Sequence, residues 1–453
     1  MGFPCTSSVL KTITYKFETM NKLKYIFFVA SIWMVQSCNI DDIPNPNGSS
    51  AEAILVNATQ SQLQTLVTGS EDLLRDEIGF YYDVAAILGR EYYFFTGSDP
   101  RYTGELLGRE DSQLDNAGFY GTRPYFGRYK TIRNLNVLIE AATASNSITA
   151  EQLNGYLGFA QTFQAYELHI AANLQFQNGI RTDVADIDNL GPFLSYDESL
   201  TEIIELLDAG AANLAAAGGA FPFSLSSAMA GFDTPASFTS FNRALSARIA
   251  LYQGNNADAV SRLGGSFMDM NASLATGPAR FYSSAGGDLA NNVFRVTDQA
   301  DAIIAHPSFL SDADPADSRL SKVLLRPSGT LTLDDLSGDY DVVVFNSLDS
   351  PIPYINNEEL ILIWAEANIG TDNDGVVNAI NLIRSSAGLA GYSGGTSNAD
   401  LLTEVLYQRR YSLFGLGHRW VDARRTNTLS TLPIDRVGDD VWVQMPRPVS
   451  ETE

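Results

Sequence analysis

Phe159, Phe163, Tyr166 and Ile170 stand at i, i+4, i+7 and i+11 within residues 153–175. That spacing keeps large apolar side chains on one face of an α-helix, so it predicts a long amphipathic helix there. The same periodicity recurs along most of the chain. Ile54, Leu55, Leu63, Leu66 and Val67 mark a helix over 51–67, and Tyr129, Ile132, Leu135, Asn136 and Ile139 mark one over 125–144. Segments 198–217, 239–252, 257–263, 357–369, 375–387 and 401–414 complete the set, separated by Gly/Ser/Asp-rich stretches that read as loops. Only 341–345, with its Val342-Val343-Val344 run, and 441–444 resemble strands. The fold class is therefore all-α, a single body with long loops and minor β-hairpin content.

Two stretches, 239–263 and 357–387, are each a helix, a Gly/Asn/Asp turn and a second helix, about the size of a tetratricopeptide unit. Ala244, Ala247 and Ala250 in the first, and Ala365 and Ala367 in the second, are small enough for close helix approach. Asp372-Asn373-Asp374-Gly375 superficially fits a calcium loop. With its glycine at the sixth position, however, Gly370 and Asn381 would fall at the first and twelfth, where carboxylates are needed. It reads as an interhelical turn.

The N-terminus carries an export signal. Lys22 and Lys24 precede the uninterrupted apolar run 25–35, and Val35-Gln36-Ser37 places a small residue just before Cys38 in the manner of a lipobox. Eleven apolar residues fall short of the roughly 20 that span a bilayer. Residues 20–37 are read as a lipoprotein signal peptide, Cys38 as the lipidated first residue, and 38–50, with Asp41, Asp42, Pro44 and Pro46, as a tether. Residues 1–19 read as an over-extended start. Their Met1-Gly2-Phe3-Pro4-Cys5-Thr6 formally fits an N-myristoylation pattern but conflicts with the longer signal.

Cleavage before Cys38 would remove Cys5 and leave one cysteine, so the folded body must rely on core burial instead of disulfides. The chain has a net charge of -24. That excludes a nucleic-acid binder, which needs clustered positive charge against phosphates, and argues against highly anionic polysaccharides. One dense basic cluster exists. Arg409, Arg410, Arg419, Arg424 and Arg425 lie within seventeen residues that also hold His418. Arginine captures carboxylates in a bidentate fashion, so the cluster would either bind an anionic ligand or neutralise carboxylates inside the fold. No nucleophile elbow, zinc-type histidine pair, P-loop or dinucleotide fingerprint occurs. His418 and Asp422 share a helical spacing but lack a third metal ligand, and neither a metal nor a cofactor is expected.

The linked motifs Ile361-Leu362-Ile363-Trp364-Ala365-Glu366-Ala367, Asn378 to Leu389, Arg409-Arg410 and Gly417-His418-Arg419-Trp420-Val421-Asp422-Ala423-Arg424-Arg425 resemble the SusD/RagB family of Bacteroidetes nutrient-uptake lipoproteins. Tyr129-Lys130-Thr131-Ile132 with Asn136, Ala244 to Gly254, and Met445 to Glu451 extend the resemblance over the mature chain. It implies a SusD-like helical domain over 51–453, with an N-terminal part 51–300 and a C-terminal RagB/SusD part 301–453. It also implies a lipid-anchored, surface-exposed outer-membrane protein, with the acidic pair after Cys38 as its surface-export signal. Such a protein would capture oligosaccharide and deliver it to a SusC-like TonB-dependent transporter, with no bond chemistry. A peptide ligand is the alternative within the same fold, and an all-helical glycoside hydrolase a more distant one.

This chain departs from the family pattern at Gln408, Ser412 and Leu416, where glutamates usually stand around the arginine pair. Asp422, Glu404 and Glu366 are the carboxylates expected to substitute. Arg409, Arg410, Arg419, Trp420 and Asp422 are accordingly read as a structural clamp between the last helices. Saccharide recognition needs flat apolar faces plus fixed polar groups. The aromatic-rich loops of the first third nominate Tyr102, Tyr120, Arg101 and Arg123 for ligand binding.

Overall fold

The computed structural model describes residues 51–451; the export signal, Cys38 and the tether lie outside them. The helical expectation holds, with boundaries set by capping chemistry. What reads as one helix over 51–67 is two, α1 (Ala51–Asn57) and α2 (Gln60–Leu73). Thr59 divides them because its side chain accepts from the Gln62 backbone N–H while Gln62 reaches back to Thr59 N, a capping box that starts a new helix. The same device opens α5 (Ala150–Gln175) at Thr149 and α6 (Tyr196–Ala215) at Ser195. Thr234 opens α7 (Pro235–Tyr252) likewise, with Pro235 in the first turn where its missing N–H costs nothing.

Two other helices precede α5. In α3 (Ile78–Leu88) ten of eleven residues are buried. Such a helix carries no polar face, so its sequence shows no period; the aromatic pair Tyr81-Tyr82 belongs to it and not to a loop. Helix α4 (Phe119–Ala144) starts six residues earlier than the period implied and tolerates Pro124 near its N-terminus. Between them, the aromatic run Tyr92-Tyr93-Phe94-Phe95 forms β1 (Tyr92–Phe95).

Helices α5, α6 and α7 pack around an aromatic core in which Phe159 and Phe163 meet Phe238 at 5.8 and 5.7 Å between ring centroids. The α5–α6 approach depends on Gly158, where a Cβ would come within 2.5 Å of the Leu214 side chain. Ribbon strands β2 (Ile180–Arg181) and β3 (Phe193–Leu194) connect α5 to α6. After α7 comes α8 (Asn256–Leu263), turned through Gly254 at φ 74°.

A mixed region follows, with β4 (Ala279–Arg280), β5 (Ala302–Ala305), the one-turn α9 (Ser308–Ser311), β6 (Val323–Leu325), β7 (Leu331–Leu333), β8 (Leu336–Gly338), β9 (Tyr340–Val342) and β10 (Ile352–Pro353). An antiparallel sheet runs β1-β5-β9-β6, with Tyr92 opposite Ala305 and Val323 opposite Val342. β10 pairs β4, and β7 pairs β8 as a hairpin. The strand expected over 341–345 thus ends at Val342. No strand forms over 441–444, where Trp442 and Gln444 instead bond through their side chains to Glu105 and Asn178.

The C-terminal helices α10 (Asn357–Ala367), α11 (Asn373–Ser386) and α12 (Asn398–Ser412) close on Ile361, Leu362, Val376, Ile380, Ile383, Leu401 and Val405, all fully buried. Asp372 caps α11 by accepting from Gly375 N at 2.9 Å, so that acidic turn is an interhelical one. A last helix, α13 (Arg419–Arg425), has no periodic signature because four of its seven residues are charged. Among the described residues no helix is long and apolar enough to cross a membrane.

Candidate functional site

At the junction of α12 and α13 the arginines turn inward. Arg409 Nε donates to Asp422 Oδ2 at 2.7 Å and its Nη2 to Oδ1 at 3.1 Å. Arg425 reaches the same carboxylate at 2.8 Å and also both oxygens of Glu366. Burial alone would push the Asp422 carboxyl up; the Arg409 and Arg425 guanidiniums outweigh it and hold the group at about 2. Arg410 pairs with Asp312 at 2.8 Å and bonds Ser308 Oγ. Arg419 donates to the Arg90 carbonyl and Trp420 Nε1 to the Trp442 carbonyl at 2.7 Å. Arg424 bonds the carbonyls of Asn173 and Val443.

The three departures from the glutamate pattern are also accounted for. Gln408 donates to Glu404, which in turn pairs with Arg384, while Ser412 Oγ accepts from Arg319 at 3.0 Å. Leu416 makes no such polar exchange and lies instead against the enclosed space beside His418. Each of the five guanidiniums has an internal partner. The cluster cross-links helices and offers no open anion site.

The nominated ligand residues gather around the touching rings of Phe119 and Phe80, but only Arg101 lines a cleft. Arg101 lines an open cleft of about 480 Å³ together with Glu105, Arg109, Ser112 and Thr103, and Leu333 and Asp334 from the β7–β8 hairpin close it. Arg101 is held by Asp99 at 2.7 Å and lies over the Phe119 ring at 4.6 Å. Arg109 pairs with Asp334 and Asp335, and Arg436 ties the same hairpin down through Asp334 at 2.9 Å. Tyr120 is fully buried and donates its hydroxyl to Glu105, so it fixes a wall of the cleft from behind. Tyr102, also buried, packs between Phe94 and Phe119. Neither tyrosine presents a ring face for stacking. Arg123 does not line the cleft but joins the same aromatic group, lying over Phe80, whose ring meets Phe119 at 5.6 Å, and pairing with Glu77 at 2.9 Å.

Residues 351–438, which include the whole arginine cluster, match the SusD family. The fold matches a SusD superfamily protein from Bacteroides vulgatus with a TM-score of 0.66 at 15% identity, over 87% of this chain and 96% of that one. A SusD-like carbohydrate binding protein from the same species gives 0.58 at 15% identity, over 81% and 83%. The surface glycan-binding protein A of Bacteroides uniformis gives 0.59 at 14% identity, over 83% and 90%. The SusD family match is carried by the C-terminal segment 351–438, and the chain as a whole shares the fold of SusD superfamily proteins. No curated protein matches it.

In this SusD-fold chain the cleft lies outside the matched segment, apart from the contacts that Arg436 makes to Asp334 and to the Thr103 carbonyl. Glu105, Arg109 and Asp334 escaped the sequence reading because the cleft forms only when a hairpin more than two hundred residues downstream folds over 96–112. The Asp334-Asp335 turn, with φ of 56° and 62°, was the one local signal of that hairpin.

A smaller enclosed space of about 30 Å³ is lined by His169, Arg248, Tyr252, Glu359 and His418. It has room for water only. Arg248 pairs with Glu359 at 2.6 Å, and His418 Nδ1 lies 3.2 Å from the Tyr252 hydroxyl. Burial lowers the His418 imidazole to about 4, against the pull of Glu359. Among the described residues no group of His, Cys, Asp or Glu is arranged to hold a metal ion. Asp422 is engaged by two arginines, which disposes of the His418/Asp422 pairing as a metal site.

Proposed function

We propose that the protein is a cell-surface lipoprotein that captures an oligosaccharide in the 96–112 cleft and hands it to a SusC-like TonB-dependent outer-membrane transporter, without bond chemistry. Residues 20–37 would direct export, acylated Cys38 would anchor the chain in outer-membrane lipid, and 38–50 would tether a single body divided into parts 51–300 and 301–453. The observation that carries the reading is an open polar cleft, built from two segments far apart in sequence, on a fold whose relatives include proteins named for glycan and carbohydrate binding. Arg101, Glu105, Arg109 and Asp334 supply donors and acceptors for sugar hydroxyls. Tyr102 and Tyr120 act as the packing and the hydrogen bond that hold Glu105 and Arg101 in place. The buffered charge of the cleft, two arginines against Glu105 and Asp334, suits an uncharged ligand better than a polyanion.

The test uses soluble protein in which Cys38→Ser prevents acylation, screened on a glycan array and titrated by calorimetry. Arg101→Ala and Glu105→Gln are expected to weaken the best glycan at least tenfold while the melting temperature stays within a few degrees. Silence across every glycan class together with saturable peptide binding would replace the oligosaccharide with a peptide.

A further inference from the structure

A second, larger cleft of about 650 Å³ runs along α2. Gln64, Thr68, Glu71 and Asp72 line it at i, i+4, i+7 and i+8, which is one helical face, with Arg75 in the turn just past the helix end, while Leu63, Val67 and Ser70 are buried on the other face. The facing wall carries Phe281 and Asp288. Phe281 is 37% exposed, and both walls are open: a Cβ at Gly69 or at Gly287 would meet no atom within 4 Å. Arg75 pins the two walls together, donating to the Phe281 carbonyl at 3.0 Å and to Asp288 at 2.7 Å.

The hydrogen-bonding capacity left over in this cleft is weighted toward acceptors. Arg75 has committed three of its five N–H donors, both on Nη1 to Phe281 and Asp288 and one on Nη2 to Asp72. Gln64 has spent its amide on Thr68 and the Ser224 carbonyl, and its oxygen on Ser224 N. Glu71, by contrast, is bonded by Ser226 alone, through the backbone N–H shared by its two oxygens at 3.0 and 3.1 Å and through the Ser226 hydroxyl, and burial pushes its carboxyl up. A carboxylate has about four acceptor sites, so Glu71, Asp72 and Asp288 retain free lone pairs beside an exposed aromatic face. A ligand here must bring hydrogen-bond donors and a flat apolar side. An anionic ligand would meet three carboxylates and an arginine already neutralised by two of them.

We infer that this cleft is a second saccharide site, selective for neutral or amino-substituted sugars, with Phe281 under the ring and Glu71, Asp72 and Asp288 accepting hydroxyl or ammonium protons. Uronic and sulfated sugars are excluded from it. The inference rests on the protein being a saccharide binder, but not on the 96–112 cleft being the first site.

Chitosan oligosaccharide, its fully N-acetylated counterpart and oligogalacturonate serve as probes, titrated calorimetrically at neutral pH into the Cys38→Ser protein and its Phe281→Ala, Glu71→Gln and Arg101→Ala variants. At least one of the two non-acidic probes is expected to bind, to lose tenfold or more in Phe281→Ala and severalfold in Glu71→Gln, and to be unchanged in Arg101→Ala. Glutamine at 71 can still accept from Ser226 N, so the second variant reads charge and not folding. Absence of binding by both non-acidic probes, affinity indifferent to Phe281 and Glu71, or oligogalacturonate as the probe that Phe281→Ala weakens, would each overturn the inference. Failure of the 96–112 site would register separately, as affinity for the best array glycan that Arg101→Ala leaves intact.

Discussion

Arg409 and Asp422 form a buried two-point ion pair across the α12–α13 junction, 2.7 and 3.1 Å, with Arg425 sharing the same carboxylate. The family-typical glutamates are absent at 408, 412 and 416, so one aspartate serves two guanidiniums. Truncating one partner of a buried pair strands the other charge, at a cost of about 3–5 kcal/mol. Asp422→Ala, which strands Arg409 and leaves Arg425 with Glu366 alone, is expected to lose about that much in urea unfolding. Arg410→Ala is expected to lose about 1 kcal/mol or less, because its partner Asp312 is 49% exposed.

The neighbouring residues separate stability from binding. Arg419 reaches the fold through one hydrogen bond, to the Arg90 carbonyl. Arg419→Ala should lower the melting temperature while the folded fraction keeps its glycan affinity within about twofold. A large loss of affinity at unchanged stability would return the cluster to a ligand-binding role. Trp420 is fully buried, and Trp420→Ala is expected to cost about 3–5 kcal/mol through the cavity it leaves.

Trp442 connects that clamp to the 96–112 cleft. Its carbonyl accepts from Trp420 Nε1, and its own Nε1 donates to the Glu105 carbonyl at 2.8 Å. Trp442→Phe keeps an aromatic ring while removing the second bond together with the pyrrole half of the indole. Stability should fall by about 1 kcal/mol, whereas glycan affinity should drop severalfold as the Glu105 segment loosens. Equal affinity in wild type and variant would show that the cleft wall stands without this link.

Residues such as Phe159, Phe163 and Tyr166 made α5 legible because one of its faces is large and apolar in a regular period. Helix α3 was hidden for the opposite reason: with nearly every residue buried, Tyr81-Tyr82 looks the same in a core helix as in a sugar-binding loop. Helix α13 was hidden because its charges point inward, and no local pattern distinguishes a neutralised arginine from a solvated one. The cleft was legible only at Arg101, whose loop composition marked it. Glu105 needed the buried hydroxyl of Tyr120 behind it, and Asp334 needed a hairpin closed by Arg109 and Arg436. Those are long-range contacts that periodicity does not encode.

Two buried groups set opposing pH dependences. His418 is held at about 4 against 6.5 for the free side chain, chiefly by burial. Between those values the unfolded chain binds a proton that the folded one does not, so stability falls as pH drops from 6.5 to 4 and levels off below. Burial raises the Glu91 carboxyl to about 7 from 4.5, against the pull of Arg419. Between 4.5 and 7 the folded chain holds the extra proton, so stability falls as pH rises through that window. Each contribution is on the order of 3 kcal/mol, and in the wild type they largely offset one another. His418→Gln should therefore move the pH of maximum melting temperature toward acid, and Glu91→Gln should move it toward neutral. Identical pH profiles for both variants and the wild type would mean that these side chains titrate in the folded protein as they do in water.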